Sequence, residues 1–170
     1  MLFANIICVS VLFLANAAAK HRFIKLGCVK LYGKTYVTSL KTLLDAQKQC
    51  VKWDFCDGVR KMADNKFWFI TNVRGFEVTG WNDDYILDYT NNTRFPRAPD
   101  NVDTYILFAT YRNQTCPDDF EIVGDKCRYA LNEKTCKQFA YFMEPSYQPA
   151  PETGLGCNIL KMEDIIKKWQ

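Results

Sequence analysis

The stretch Thr42–Lys52, TLLDAQKQCVK, runs into Trp53–Val59, WDFCDGV, and then, past a polar break, into Lys66–Val73, KFWFITNV. Its first part reads as a helix. Leu43, Ala46, Gln47 and Cys50 fall on one stripe, with Leu44 and Val51 beside it. Thr42 and Asp45 have capping-box spacing: the threonine hydroxyl can accept an early backbone N–H, and the aspartate favours the positive helix end. Cys50 lies on the apolar side, where it can tie the helix to a core. Asp57-Gly58 is a stop or turn signal. Phe67, Trp68, Phe69, Ile70 and Thr71 are bulky β-formers, apolar on both faces, as suits a central strand covered on each side. A helix returning onto such a strand predicts an α+β fold.

Working outward, Val29–Val37 offers one or two strands around Gly33, and Tyr85–Tyr89 offers a shorter one. Asn91–Asn101 carries two prolines and reads as a loop. Thr104–Tyr111, rich in β-formers, predicts a second strong strand. Phe120–Val123 and Lys126–Tyr129 flank Gly124-Asp125 and predict a hairpin. The expected fold class is therefore a small antiparallel sheet packed with one helix, followed by a disulfide-held C-terminal module. That last piece is too short to build a sufficient core alone. Cys116 and Cys127 bracket the start of the hairpin and could close it, and Cys136 with Cys157 makes a second plausible pair. Between Glu144 and Gly156 stand three prolines and two glycines, which reads as a loop. Met162, Ile165, Ile166 and Trp169 recur at i, i+3, i+4 and i+7, an amphipathic helix expected to dock on its own domain.

The beginning of the chain has another logic. Ile6–Leu14 is almost wholly apolar and is followed by Ala15, Ala17, Ala18 and Ala19 before Lys20. This is the pattern of a secretory signal peptide cleaved after Ala17 or Ala19, and it is too short to span a bilayer comfortably. The expected organisation is a signal peptide over 1–19, an α+β domain over 20–112 and a cysteine-rich module over 113–170. Cleavage removes Cys8 and leaves Cys28, Cys50, Cys56, Cys116, Cys127, Cys136 and Cys157 for an oxidising compartment. Seven is odd, so one thiol is free and buried or bridges to another chain. Asn91 and Asn113 head N-x-[ST] sequons, which suits exposed, glycosylated sites on an exported protein.

Composition excludes more than it selects. Of 170 residues, 22 are Lys or Arg and 19 Asp or Glu, a net charge of +3 too small and scattered to argue for nucleic acid. The single histidine, His21, forbids a multi-histidine metal site and stands near the expected mature N-terminus. No C-x-x-C and no glycine-rich phosphate loop occurs. Nothing selects a pair of carboxylates for glycosidase chemistry; Asp83 and Asp84 are adjacent and would face opposite ways in a strand. Catalysis and cofactors are not expected.

Two families are resembled. Asp45–Cys50 on a helix, then Cys56-Asp-Gly-Val59, then the aromatic strand Phe67–Phe69, resemble the PAN/apple family, and the Tyr105–Pro117 junction is similar to that of nematode secreted proteins with PAN-like or CW domains. The resemblance covers about half the chain. The family carries a cysteine in the aromatic strand and this chain has none there, so Cys28 stands as the expected partner of Cys50, with Cys56 next. Cys116–Phe120 through Cys127 resembles the opening hairpin of C-type lectin-like domains, although the 55 residues that remain from Cys116 are too few for a complete one. Trp81-Asn82-Asp83 is similar to the calcium-binding triplet of that family, which makes Asn82 and Asp83 the calcium candidates. An acidic surface turn is the plainer reading.

The resemblance to PAN/apple domains implies an extracellular module that recognises a protein or glycan ligand without catalysis. The competing readings are a secreted inhibitor or effector presenting Glu144–Pro151 to a partner protein, and a calcium-dependent carbohydrate binder. Trp81, Tyr85 and Tyr89 are the ligand-binding candidates, because aromatic side chains stack on sugars and anchor interfaces.

Overall fold

In the computed structural model, residues 11–12, 22–90, 95, 101–150 and 154–170 are described. The elements run β1 (Val11–Leu12), β2 (Phe23–Val37), α1 (Leu43–Lys52), β3 (Cys56–Lys61), β4 (Phe67–Leu87), α2 (Val102–Tyr111), β5 (Glu121–Val123), β6 (Lys126–Tyr129), α3 (Glu133–Cys136), β7 (Ser146–Ala150), β8 (Gly154–Leu160) and α4 (Met162–Trp169). They make an α+β fold with two separate four-stranded sheets, ordered β1-β2-β4-β3 and β5-β6-β8-β7. Val11 and Leu12, inside the expected signal segment, pair with Leu26 and Lys25 of β2. The rest of that segment, together with His21 and Asn91, lies outside the described residues.

α1 forms where its stripe and cap predict. Thr42 Oγ1 accepts from the Asp45 backbone N–H at 3.1 Å, and Ala46 and Cys50 are buried on the inner face. Val29–Val37 is part of one long strand: β2 runs antiparallel to β4 from Phe23 opposite Leu87 to Val37 opposite Trp68. A bulge interrupts the ribbon, for Val29 lies opposite both Val78 and Asp83, and Cys28 takes φ +61° there. β4 then embraces β3 from both sides. Val59 lies opposite Phe69 and Tyr85, and Arg60 opposite Trp68 and Asp84. The wrap demands a glycine at 58, since a Cβ there would stand 2.6 Å from the Tyr85 carbonyl oxygen.

Thr104–Tyr111 is a helix, not the expected strand. Asn101 caps α2 by accepting from the Thr104 N–H at 3.0 Å, and every residue from Thr104 to Tyr111 is buried. A helix enclosed on all sides is apolar all round and shows no 3.6-residue stripe, so its β-branched and aromatic composition misleads. α2 is the centre of the main core. Ile24, Leu31, Ile70 and Ile86 of the first sheet and Cys127, Ile159 and Ile165 of the C-terminal part all pack in the cluster that contains it. A smaller core under α1 joins Ala46, Cys50, Cys56, Val59, Phe67, Phe69 and Tyr85.

Cys116–Cys127 and Cys136–Cys157 pair as their spacing suggested. Cys50 does not bond Cys28; it bonds Cys56, closing the short loop between α1 and β3. Cys28 is itself disulfide-bonded, and no free cysteine stands among the described residues. The proline-rich Glu144–Pro151 segment is mostly a strand, because β7 pairs with β8 from Ser146 opposite Asn158 to Ala150 opposite Gly154, while Pro151 lies outside the described residues. Pro149 is tolerated there because β7 is an edge strand. α4 docks on its own core through Met162, Ile165 and Ile166, and Trp169 packs edge-on against Phe142 at 5.3 Å.

Candidate functional site

α2 ends on two consecutive left-handed residues, Arg112 at φ +46° and Asn113 at φ +62°. They turn the chain outward into the Cys116 loop and leave the Arg112 guanidinium at the seam between the sheets. Its Nη2 donates to Asp57 Oδ1 at 2.7 Å and its Nη1 to the Asp54 carbonyl at 2.9 Å, while Asp118 Oδ2 stands 4.0 Å from Nη1. The Tyr89 ring lies 5.6 Å from the guanidinium carbon, a cation–π distance. Asp57 is buried and also accepts from the Val73 N–H at 3.1 Å and the Tyr89 hydroxyl at 3.2 Å. Burial pushes the Asp57 carboxyl above the usual range, against the pull of Arg112 and the other donors. Burial, with the Asp57 charge beside it, likewise pushes the Tyr89 phenol up.

Outside this anchor the chain forms a cleft of about 400 Å³ lined by Gln114–Phe120 and Ile122. Gln114 Nε2 donates to Asp118 Oδ1 at 3.1 Å across its rim. The Cys116–Cys127 disulfide ties the cleft to β6, and Phe120, one of its lining residues, packs against Phe139 and Tyr129 with ring centroids 5.6 and 5.4 Å away. Ile122 and Val123 project 61% and 46% exposed beside it.

The ligand-binding candidates are not gathered on this surface. Tyr85 is 7% exposed and belongs to the core under α1. Tyr89 is half-buried on Asp57, and the Trp81 side chain lies outside what is described. Asn82 is buried in the β4 bulge, where its N–H donates to Thr79 Oγ1 at 3.3 Å. Asp83 pairs with Lys25 at 3.1 Å. Asp84 faces the other way, as alternation requires, and is 0% exposed. It accepts from Arg60 Nε and Nη2 at 2.8 and 2.7 Å and from the Leu31 N–H at 2.7 Å, which staples β2, β3 and β4 together. Burial raises its pKa against those donors. Among the described residues no His, Cys, Asp and Glu cluster has metal-holding geometry. Asn113 is half-buried and its Nδ2, the atom a glycan would take, donates to the Tyr89 carbonyl at 3.2 Å.

Arg112 and the cleft escaped sequence reading. The signal that could have found them is the acid-rich run Pro117–Asp125, with four carboxylates and no base in nine residues. No protein-family model, curated protein or solved structure matches this chain.

Proposed function

We propose that the chain is a secreted, non-catalytic binding protein that recognises a protein ligand outside the cell. The observation that carries this reading is the disulfide-braced hairpin β5–β6, which presents exposed aliphatic side chains beside an open cleft. Apolar side chains held out on a rigid support are a feature of interaction surfaces. The cystines support an oxidising compartment, and no helix among the described residues is long and apolar enough to cross a membrane. The cysteine-bearing helix α1, its short cysteine loop and the aromatic start of β4 support a PAN-like recognition role for residues 20–112. A protein is favoured over a glycan because Tyr85 and Tyr89, two of the rings that would stack on sugar, serve the core and Asp57 instead.

Capture on the immobilised full chain from extracellular extract, run beside a glycan array, tests the proposal. A saturable protein partner is expected. Glycan signal without protein capture would replace the protein reading with a carbohydrate one, and neither signal would sink recognition altogether.

A further inference from the structure

β5 is the outer strand of its sheet, and all three of its residues are exposed. Its register fixes what it offers. Val123 lies opposite Lys126 across the two-residue turn Gly124-Asp125, where Gly124 takes φ +60°. The pair flanking such a turn is hydrogen-bonded, so the next pair, Ile122 with Cys127, is not. The N–H and C=O of Ile122 therefore point away from β6, toward the free edge. Side chains directly opposite share a face, so Ile122 sits on the face that carries fully buried Cys127 and, two residues back, Phe120. An apolar residue on the core-facing side of a sheet, yet 61% exposed, marks a core that stops short of its last strand.

Charge identifies what completes it. Asp118, Asp119, Glu121 and Asp125 flank Ile122 and Val123 in sequence and all four are exposed, against two bases on the neighbouring strand, Lys126 opposite Val123 and Arg128 opposite Glu121, so acids outnumber bases along this edge. We propose that the β5 edge is a docking site for an extended segment of a partner protein that alternates basic and aliphatic residues. The segment adds a fifth strand beside β5, sets an aliphatic side chain against Ile122 at the Gln114–Phe120 cleft, and aims its Lys or Arg at the four carboxylates. A second copy meeting this one edge to edge is disfavoured, because it would face four acids with four more. The inference rests on the protein-ligand reading above and names the class of ligand for it.

The test is an NMR titration of the ¹⁵N-labelled full chain with a capped peptide alternating Lys and Val, beside a Lys–Gly and a Glu–Val peptide. The Lys–Val peptide is expected to shift the amides of Phe120–Val123 and slow exchange of the Ile122 N–H. Ile122→Thr should weaken it about tenfold, the worth of one buried aliphatic side chain. Ile122→Pro, which removes the N–H offered at the free edge, should weaken the Lys–Val peptide at least as much as Ile122→Thr does. Asp119→Asn with Glu121→Gln should flatten the dependence on salt. Each variant is first checked for an unchanged spectrum away from β5. Equal binding of the Lys–Gly peptide, shifts centred elsewhere, or no shifts would overturn the proposal. A concentration-dependent dimer lost in Ile122→Thr would assign the edge to a second copy and overturn it too. Capture of a protein partner that survives Ile122→Thr would remove this edge and leave the binding function standing.

Discussion

The two sheets are of equal strand number and both carry disulfides, the first at Cys28 of β2 and at Cys56 of β3, but they differ in strand length and in what else holds them. The first is built on two long strands, β2 and β4, the latter wrapped on both sides of β3, and the three are stapled by the buried ion pair of Arg60 and Asp84. The second has strands of three to seven residues and is crossed by two disulfides, Cys116–Cys127 and Cys136–Cys157. The difference follows from material. A long strand satisfies its backbone along its length and can bury a charge that has enough donors around it. Short strands enclose too little apolar surface for that, and a covalent link limits the unfolded chain instead. α2 serves both, since its apolar surround is shared by the two sheets.

The sharpest way to break the comparison is to remove one half of the buried pair. Arg60→Ala leaves Asp84 buried with only the Leu31 N–H, and should cost about 3–5 kcal/mol in urea unfolding. Arg60→Met combined with Asp84→Leu should recover only part of it, because the stranded charge is gone but the Leu31 N–H and carbonyl lose the partners these side chains gave them. A loss under about 1 kcal/mol for Arg60→Ala would mean that water reaches the carboxylate. Next comes Cys136→Ser with Cys157→Ser. The bond spans 21 residues, a loop whose closure is worth about 3 kcal/mol. Unfolding at the wild-type midpoint would show that β8 needs no covalent help.

The joint between the sheets gives a third, smaller effect. A Cβ at Gly75 would stand 2.1 Å from the Gln138 carbonyl oxygen and 3.0 Å from the Ala140 nitrogen, both backbone atoms. The Ala140 N–H donates to the Arg74 carbonyl at 2.9 Å, and Arg74 Nη2 to Gln138 Oε1 at 2.6 Å. Gly75→Ala should therefore push the C-terminal part off β4 and cost about 1–3 kcal/mol, the range of overpacking. Unchanged stability and unchanged amide shifts at Arg74 and Ala140 would show that the two parts do not meet there in solution.

What could be read from sequence depended on whether a local pattern determined the outcome. The cap at Thr42, the stripe through Cys50, the Gly124-Asp125 turn and the heptad-like spacing of α4 are settled by neighbours in the chain, and each was legible. Thr104–Tyr111 was not, because only the tertiary surround of α2 explains why β-formers make a helix there. The PAN/apple resemblance puts Cys28 ahead of Cys56 as the partner of Cys50, and the bond forms instead with the nearer cysteine. The candidate site was less legible still. Arg112 meets Asp57 across 55 residues, and Tyr85 gives no sign in sequence that β4 folds back to bury it.

The smallest effect lies on the solvent face of the first sheet, where a charge is held without burial. Glu77 stands opposite Lys30 in the β2–β4 ladder. Its Oε1 is 2.9 Å from Lys30 Nζ, and its Oε2 accepts from the Tyr32 hydroxyl at 2.8 Å. The Lys30 bond, then the Tyr32 bond, hold the Glu77 carboxyl below the usual glutamate range. The Tyr32 phenol is held above its ordinary value, chiefly by the same bond. The signs then differ at the two ends of the pH scale. A carboxyl lowered by folding contributes stability that is complete above the unfolded pKa and lost as pH falls through the folded one. A phenol raised by folding contributes stability that is complete below its unfolded pKa and lost as pH rises through the folded one. Wild type should thus unfold at a slightly higher urea concentration than Glu77→Gln near neutrality, with the gap closing below the ordinary glutamate range and narrowing again in alkali. Tyr32→Phe should remove the alkaline limb and keep the Lys30 share of the acid one, and high salt should shrink that share further. A gap between wild type and Glu77→Gln that stays flat from neutrality into acid would show that this exposed cluster adds nothing to the stability of the first sheet.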